Sequence, residues 1–140
     1  MSLPDHLTLE IVTPDHAVVS KEIDELQVPG ADGSFGVLPG HTPLLAGLQA
    51  GELWYRQGQN ISYVAVSLGF AEVLPDRVTI LAEEAEPAAE IDVPRAEAAQ
   101  ERARNRLDHP VPDLDFRRAD LAMRKSLVRL QVATRVRSQG

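Results

Sequence analysis

The 140 residues contain no cysteine, which excludes disulfide scaffolds, thiolate nucleophiles and Cys-ligated zinc or iron–sulfur centres. Aromatic residues are scarce, at 4%, so aliphatic side chains have to fill the core. Positive charge is in deficit. Lys and Arg number 14 against 21 Asp and Glu, a formal net charge of −7 that argues against a general nucleic-acid binder. No long hydrophobic run is uninterrupted: the extended stretch without formal charge, residues 33–51, holds Pro39, Pro43 and five glycines, breaks that a lipid-spanning helix does not tolerate. The start, Met1-Ser2-Leu3-Pro4-Asp5-His6, lacks the basic and apolar regions of a secretory signal and the arginines of a transit peptide. The expectation is a soluble chain whose membrane association runs through a partner, with no direct insertion.

What is present is unevenly spread. Residues 1–90 carry 14 acids and 3 bases, whereas residues 91–140 carry 7 acids and 11 bases, so a part at −11 precedes one at +4. All nine glycines except Gly140 lie before residue 70. Two composition regimes predict two units, placed at residues 1–88 and 89–140. In the first, Leu7, Leu9 and Ile11 alternate with Thr8 and Glu10 as in a half-buried strand. Ile61–Ser67 and Arg77–Leu81 are β-branched runs, and Pro29-Gly30-Ala31-Asp32-Gly33, Gln57-Gly58-Gln59-Asn60 and Leu74-Pro75-Asp76 are turn chemistry. This pattern predicts an all-β sandwich or barrel of antiparallel strands. So small a unit buries only about 60% of its unfolded surface and gains from a docking partner.

The second unit reads as an α-helical hairpin. Asp92 is placed to cap a first helix that has Pro94 in its first turn, with Val93, Ala96, Ala99, Ala103 and Leu107 on one face. Asp108-His109-Pro110-Val111-Pro112-Asp113 breaks it. Asp115 then caps a second helix with Phe116, Ala119, Met123, Ser126, Leu130 and Ala133 on one face and Asp120 paired to Arg124.

Catalytic constellations are missing. The glycine-rich segment Gly30–Thr42 has His41 where a phosphate loop needs lysine, and Pro43 follows instead of a helix, so its glycines read as turn formers. Ser34 does not sit in a nucleophile elbow. His6, His16, His41 and His109 have no metal-ligand spacing, and Glu83, Glu84 and Glu86 read as a solvated linker run. No nucleophile, base and oxyanion donor assemble, which predicts a non-enzyme. Arg95, Arg102 and Arg106 lie within about 40° of one helix face, and Arg118, Lys125 and Arg129 repeat the spacing. These stripes can converge on a polyphosphate, engage an acidic protein surface, or remain solvated; the sequence leaves all three open. An RNA-binding hairpin is disfavoured because no aromatics stand beside the bases.

The segment Gly33-Ser34-Phe35-Gly36-Val37-Leu38-Pro39-Gly40-His41-Thr42-Pro43-Leu44-Leu45 resembles the Gly-x-x-Gly-x-x-Pro-Gly-His-x-Pro-Leu segment of the epsilon subunit of F-type ATP synthases. Ser67–Val73 and Val78–Ala82 are similar to that family's next-to-last strand pair and last strand, and the resemblance runs in order over residues 5–135. It implies a β-sandwich followed by a helical hairpin, non-catalytic, on the central stalk against the gamma subunit and the c-ring. The implied location is peripheral, at the cytoplasmic face of the bacterial cell membrane. Its implied role is to couple proton translocation to ATP synthesis and to restrain ATP hydrolysis when the hairpin extends toward the catalytic beta subunits. The +4 segment suits acidic loops there.

Some members bind ATP through an Ile/Leu-Asp-x-x-Arg-Ala signature, which Ile91-Asp92-Val93-Pro94-Arg95-Ala96 fits. The resemblance then implies ATP contacts at Ile91, Asp92, Arg95 and Ala96, joined by Glu86, Arg102, Arg118, Lys125 and Arg129. It requires no cofactor beyond ATP as a regulatory ligand, and it implies a ring-facing edge at Ser34, Phe35 and His41. The competing reading is a free-standing ATP-sensing binding protein.

Overall fold

The computed structural model describes residues 3–112 and 114–139, with side chains described as far as Val136. Asp113, part of the predicted break between the helices, lies outside the described residues. Eight strands, β1 (Leu7–Val12), β2 (Ala17–Ile23), β3 (Glu25–Gly30), β4 (Gly33–Val37), β5 (Leu44–Leu48), β6 (Gly51–Gln57), β7 (Asn60–Val73) and β8 (Arg77–Pro87), form the β-sandwich. A short 3₁₀ turn at Ala88–Glu90 leads into α1 (Val93–Asp108) and α2 (Phe116–Gln139).

The alternation read from the sequence holds in β1, where Leu7, Leu9 and Ile11 are fully buried. Neighbouring strands pair antiparallel with one exception. β8 inserts beside β1 in parallel, Leu9 opposite Val78 and Ile11 opposite Ile80. These two strands are distant in sequence, so no hairpin dictates their relative direction.

β7 is the spine, and here the sequence reading needs correction. The two runs meeting at Ser67 form one strand of 14 residues, and the last strand reaches Pro87 rather than stopping near Ala82. The first half of β7 pairs with β6, the second half with β5, and β8 follows it through both. The change of partner falls at Leu68, with φ 49°, and Gly69, with φ 140°. This kink reverses the inward parity: Val64 and Val66 face the core before it, Ala71 and Val73 after it. β8 reverses with its neighbour, so Val78, Ile80 and Ala82 are core residues. Glu84 and Glu86 pair with Ser67 and Ala65 on the outer side.

At the β2–β3 junction, Asp24 accepts the Gly58 N–H at 2.7 Å and a bond to His6 Nδ1 at 2.9 Å. The Gly58 bond, then His6, holds its carboxyl below the ordinary value of 3.8. A depressed folded-state value contributes stability above the ordinary value that is lost as pH falls through the depressed one. Asp24→Asn is therefore expected to be less stable than the parent by a constant margin above pH 4, the margin shrinking in more acid solution. Urea melts at several pH values measure it.

Both helix starts are capped as the sequence indicates. Asp92 Oδ1 accepts the Arg95 N–H at 3.1 Å, and Asp115 Oδ1 accepts the Arg118 N–H at 3.1 Å. Asp120 pairs with Arg124 at 3.2 Å. The helices meet through small residues: Ala96 and Ala103 of α1, and Ala119, Ser126 and Ala133 of α2, are buried. Phe116, placed on this face by the sequence reading, is instead 56% exposed at the start of α2.

Candidate functional site at the hairpin seam

α2 presents a second stripe beside the one facing α1. Lys125, Val128, Arg129 and Val132 recur at i, i+3, i+4 and i+7, which places them on one face, and that face lies on the sandwich. Val132 is fully buried in a cluster with Ala65, Ile91 and Ala133. Underneath runs a cross-strand row, Glu52 of β6 opposite Ala65 of β7 opposite Glu86 of β8.

The helix straddles this row with Arg129 and Arg135, six residues apart. Arg129 reaches Glu86, its Nε 2.8 Å from Oε1 but off the N–H axis, while Nη2 donates to Oε2 at 3.3 Å. Arg135 reaches Glu52 at the other end through Nε at 3.2 Å and Nη2 at 3.1 Å. Lys125 Nζ donates to Glu84 at 2.9 Å. The acidic run read as a solvated linker is thus in β8, and two of its three carboxylates are committed to α2. The charge asymmetry of the sequence has an internal target: cations of the +4 part close on acids of the −11 part.

Between these groups the pocket lined by Ser67, Glu84, Glu86, Lys125, Val128 and Arg129 narrows to about 10 Å³, the size of one water molecule. Ser67 is 4% exposed and its Oγ finds no partner among the described residues. The seam therefore gathers Glu86, Lys125 and Arg129, three of the nine residues the resemblance implies for ATP.

The other six lie elsewhere. Ile91 belongs to the buried cluster under α2, and Ala96 is buried between the helices. Asp92 is engaged in its cap. Arg95 and Arg102 are exposed on α1, and their guanidinium groups have no partner among the described residues. Arg118 lines a separate surface groove at the hairpin tip with Arg106, Val111 and Leu114. The cap can be separated from any ligand contact: Asp92→Ala is expected to lower hairpin stability by about 1 kcal/mol, and Asp92→Asn by less than half of that. Hydrogen exchange of the first amides of α1 measures both.

Of the edge assigned to the c-ring, Ser34 is exposed on β4. Phe35 packs in part against the core. His41 lines a groove with Leu38 and Gly40, its Nδ1 2.6 Å from the Thr42 carbonyl. No helix follows the glycine segment, which runs from the end of β3 through β4 into the loop before β5. Among the described residues no three His, Asp or Glu side chains group as a metal site, and no helix is long and apolar enough to cross a membrane.

Sequence reasoning missed the outer face of the sandwich away from the hairpin. Phe70 lies between Leu81 and Gly47 in the ladder, with Leu45 diagonal to it. Leu45, Phe70 and Leu81 are 69%, 57% and 52% exposed. Three large apolar side chains grouped in this way mark a surface built for contact.

Comparison with known proteins finds two matching family models. Residues 6–88 match the model of the ATP synthase, Delta/Epsilon chain, beta-sandwich domain, and residues 89–134 that of the long alpha-helix domain. The ATP synthase epsilon chain of Syntrophobacter fumaroxidans is 51% identical over 131 residues, covering 94% of this chain and 98% of the relative. That of Halalkalibacterium halodurans is 45% identical over 130 residues, covering 92% and 98%. A chain in the cryo-EM structure of Euglena gracilis mitochondrial ATP synthase, OSCP/F1/c-ring, superposes with a TM-score of 0.82 at 25% identity, covering 96% of this chain and 84% of that one. With both of its parts matched in order and over nearly their full length, the chain belongs to the delta/epsilon family of ATP synthase chains, as an epsilon chain.

Proposed function

We propose that this chain is a regulatory rotor subunit, coupling proton translocation to ATP synthesis and restraining ATP hydrolysis through a hairpin that leaves the sandwich. Residues 1–88 are the anchored unit and residues 89–140 the movable one. The carrying observation is the seam, where Lys125 and Arg129 of the hairpin close on Glu84 and Glu86 of the sandwich. The Lys125–Glu84 pair is open to solvent on its carboxylate side, and pairs of that kind are individually weak, about 0.2–1 kcal/mol, which suits a contact that has to open. In this reading the sandwich meets the gamma subunit through the face at Leu45, Phe70 and Leu81. The loop carrying His41, with Ser34 and Phe35 nearby, faces the c-ring. The extended hairpin meets acidic surface on the catalytic beta subunits, and the assembly sits peripherally at the cytoplasmic face of the bacterial membrane.

ATP is the proposed regulatory ligand. The seam pocket is too small for a triphosphate while both carboxylates hold their cations, so phosphate has to take the place of carboxylate at Lys125 and Arg129. Exposed and without a partner among the described residues, Arg95 and Arg102 are available to the same anion from α1. ATP then shifts the hairpin toward its folded form only by its greater affinity for that form. Calorimetric titration of the isolated chain with ATP, with and without magnesium, tests this beside Arg95→Ala. Saturable binding in the parent and at least about tenfold weaker binding in the variant are expected. No heat at millimolar ATP contradicts a nucleotide site.

A further inference from the structure

We propose that Glu52 and Arg135, with Tyr63 beneath the guanidinium, form a latch that holds the hairpin on the sandwich without nucleotide. The inference rests on the reading of the hairpin as a movable unit and adds a second control to it. Arg135 engages Glu52 as a fork, Nε to Oε2 at 3.2 Å and Nη2 to Oε1 at 3.1 Å. Of the three carboxylates that hold α2, Glu52 is the most shielded, its side chain 15% exposed against 31% for Glu86 and 53% for Glu84. The guanidinium carbon lies 5.0 Å from the Tyr63 ring centroid, within the range at which a ring face attracts a cation. Fork and ring together fix the guanidinium plane, which a lysine in its place does not reproduce.

Location separates this contact from the nucleotide pocket. Arg135 is six residues beyond Arg129 and ten beyond Lys125, about 9 and 15 Å along the helix axis. Neither Glu52 nor Arg135 lines the pocket between Ser67 and Arg129. The row Glu52–Ala65–Glu86 is gripped at both ends, by Arg135 and by Arg129, with the buried Val132 between them. Phosphate displaces the grip on Glu86 but leaves that on Glu52 intact. The latch therefore sets how much of the hairpin is folded before ATP arrives, and ATP acts on what remains.

The chain has no cysteine, so two introduced cysteines report the hairpin cleanly. Gln59→Cys and Asn105→Cys, both at exposed positions, carry a donor and acceptor dye for single-molecule energy transfer on the full chain. In this background Glu52→Gln and Arg135→Gln are each expected to raise the extended-to-folded ratio about five- to tenfold without ATP. The exchange of charges, Glu52→Arg with Arg135→Glu, is expected to recover part of that change. Single variants that match the parent, or an exchange as open as the two losses combined, overturn the latch. Glu52→Gln alters the sandwich and Arg135→Gln only the helix, so concordance between them excludes misfolding of the sandwich as the cause. An ATP titration of the same molecules separates the two readings. If the variants open but ATP changes nothing, the nucleotide reading fails and the latch stands. If ATP closes the hairpin while the variants behave as the parent, the latch fails and the nucleotide reading stands.

Discussion

Gly69→Ala is expected to destabilise the protein by at least about 3 kcal/mol, or to prevent folding altogether. A Cβ at Gly69 would lie 1.9 Å from the Leu81 carbonyl oxygen and 2.9 Å from its carbon. These are backbone atoms of the neighbouring strand, so no rotamer change relieves the clash. The φ of 140° adds a conformation that alanine adopts poorly. Relief requires separating β7 from β8, the pairing that joins the two halves of the sandwich and aims Glu84 and Glu86 at the hairpin. Gly58→Ala is the control, since its φ of 61° is left-handed but nothing lies within 4 Å of a Cβ there. It is expected to cost about 1–2 kcal/mol, the backbone term alone. Urea denaturation of the two variants separates steric clash from conformational strain.

The second large effect is on assembly rather than stability. Phe70→Asp is expected to weaken binding to a gamma-containing stalk at least thirtyfold, the loss typical of a central aromatic anchor. The ring is 57% exposed, flanked by Leu81 across one ladder and opened by Gly47 across the other. Because Phe70 makes no part of the core, the thermal midpoint should move by only a few degrees. Leu127, 49% exposed on the hairpin, is the comparison. Leu127→Asp places the same charge on a surface assigned no part in stalk binding and should leave the affinity unchanged. Surface-immobilised stalk and the purified chain suffice for the measurement. Equal losses in both variants would move the docking face away from β7.

Local signals in the sequence were reliable where a single element decided the outcome. Leu7, Leu9 and Ile11 alternate because β1 has one buried face, and Asp92 and Asp115 announce helix starts because each caps its own backbone. The kink in β7 was not legible: nothing local at Leu68-Gly69 shows that Ile61–Ser67 and Ser67–Val73 are one strand, and only ladder pairing with β8 carries the chain through the kink. The missed parity reversal hid the purpose of Glu84 and Glu86, whose partners lie 41 and 43 residues further along. Glu52 and Arg135 are 83 residues apart and carry no local signature at all. The charge asymmetry between the two parts was plain in the sequence, but its target was not, because a net charge has no address until a fold supplies one. Of the residues that the resemblance implies for ATP, Lys125 and Arg129 of α2 and Glu86 of β8 come together at the seam, whereas Arg118, also on α2, lies about 10 Å along the helix from Lys125, at the hairpin tip.

The central claim is that the hairpin restrains hydrolysis when it leaves the sandwich and that ATP returns it there. The most direct measurement is ATP hydrolysis by an ATP synthase reconstituted with this chain, at low and at high ATP, each compared with the same enzyme lacking it. The account predicts strong inhibition at low ATP that is relieved at high ATP, with Arg95→Ala retaining inhibition at both. Equal inhibition of the parent at low and high ATP would contradict it.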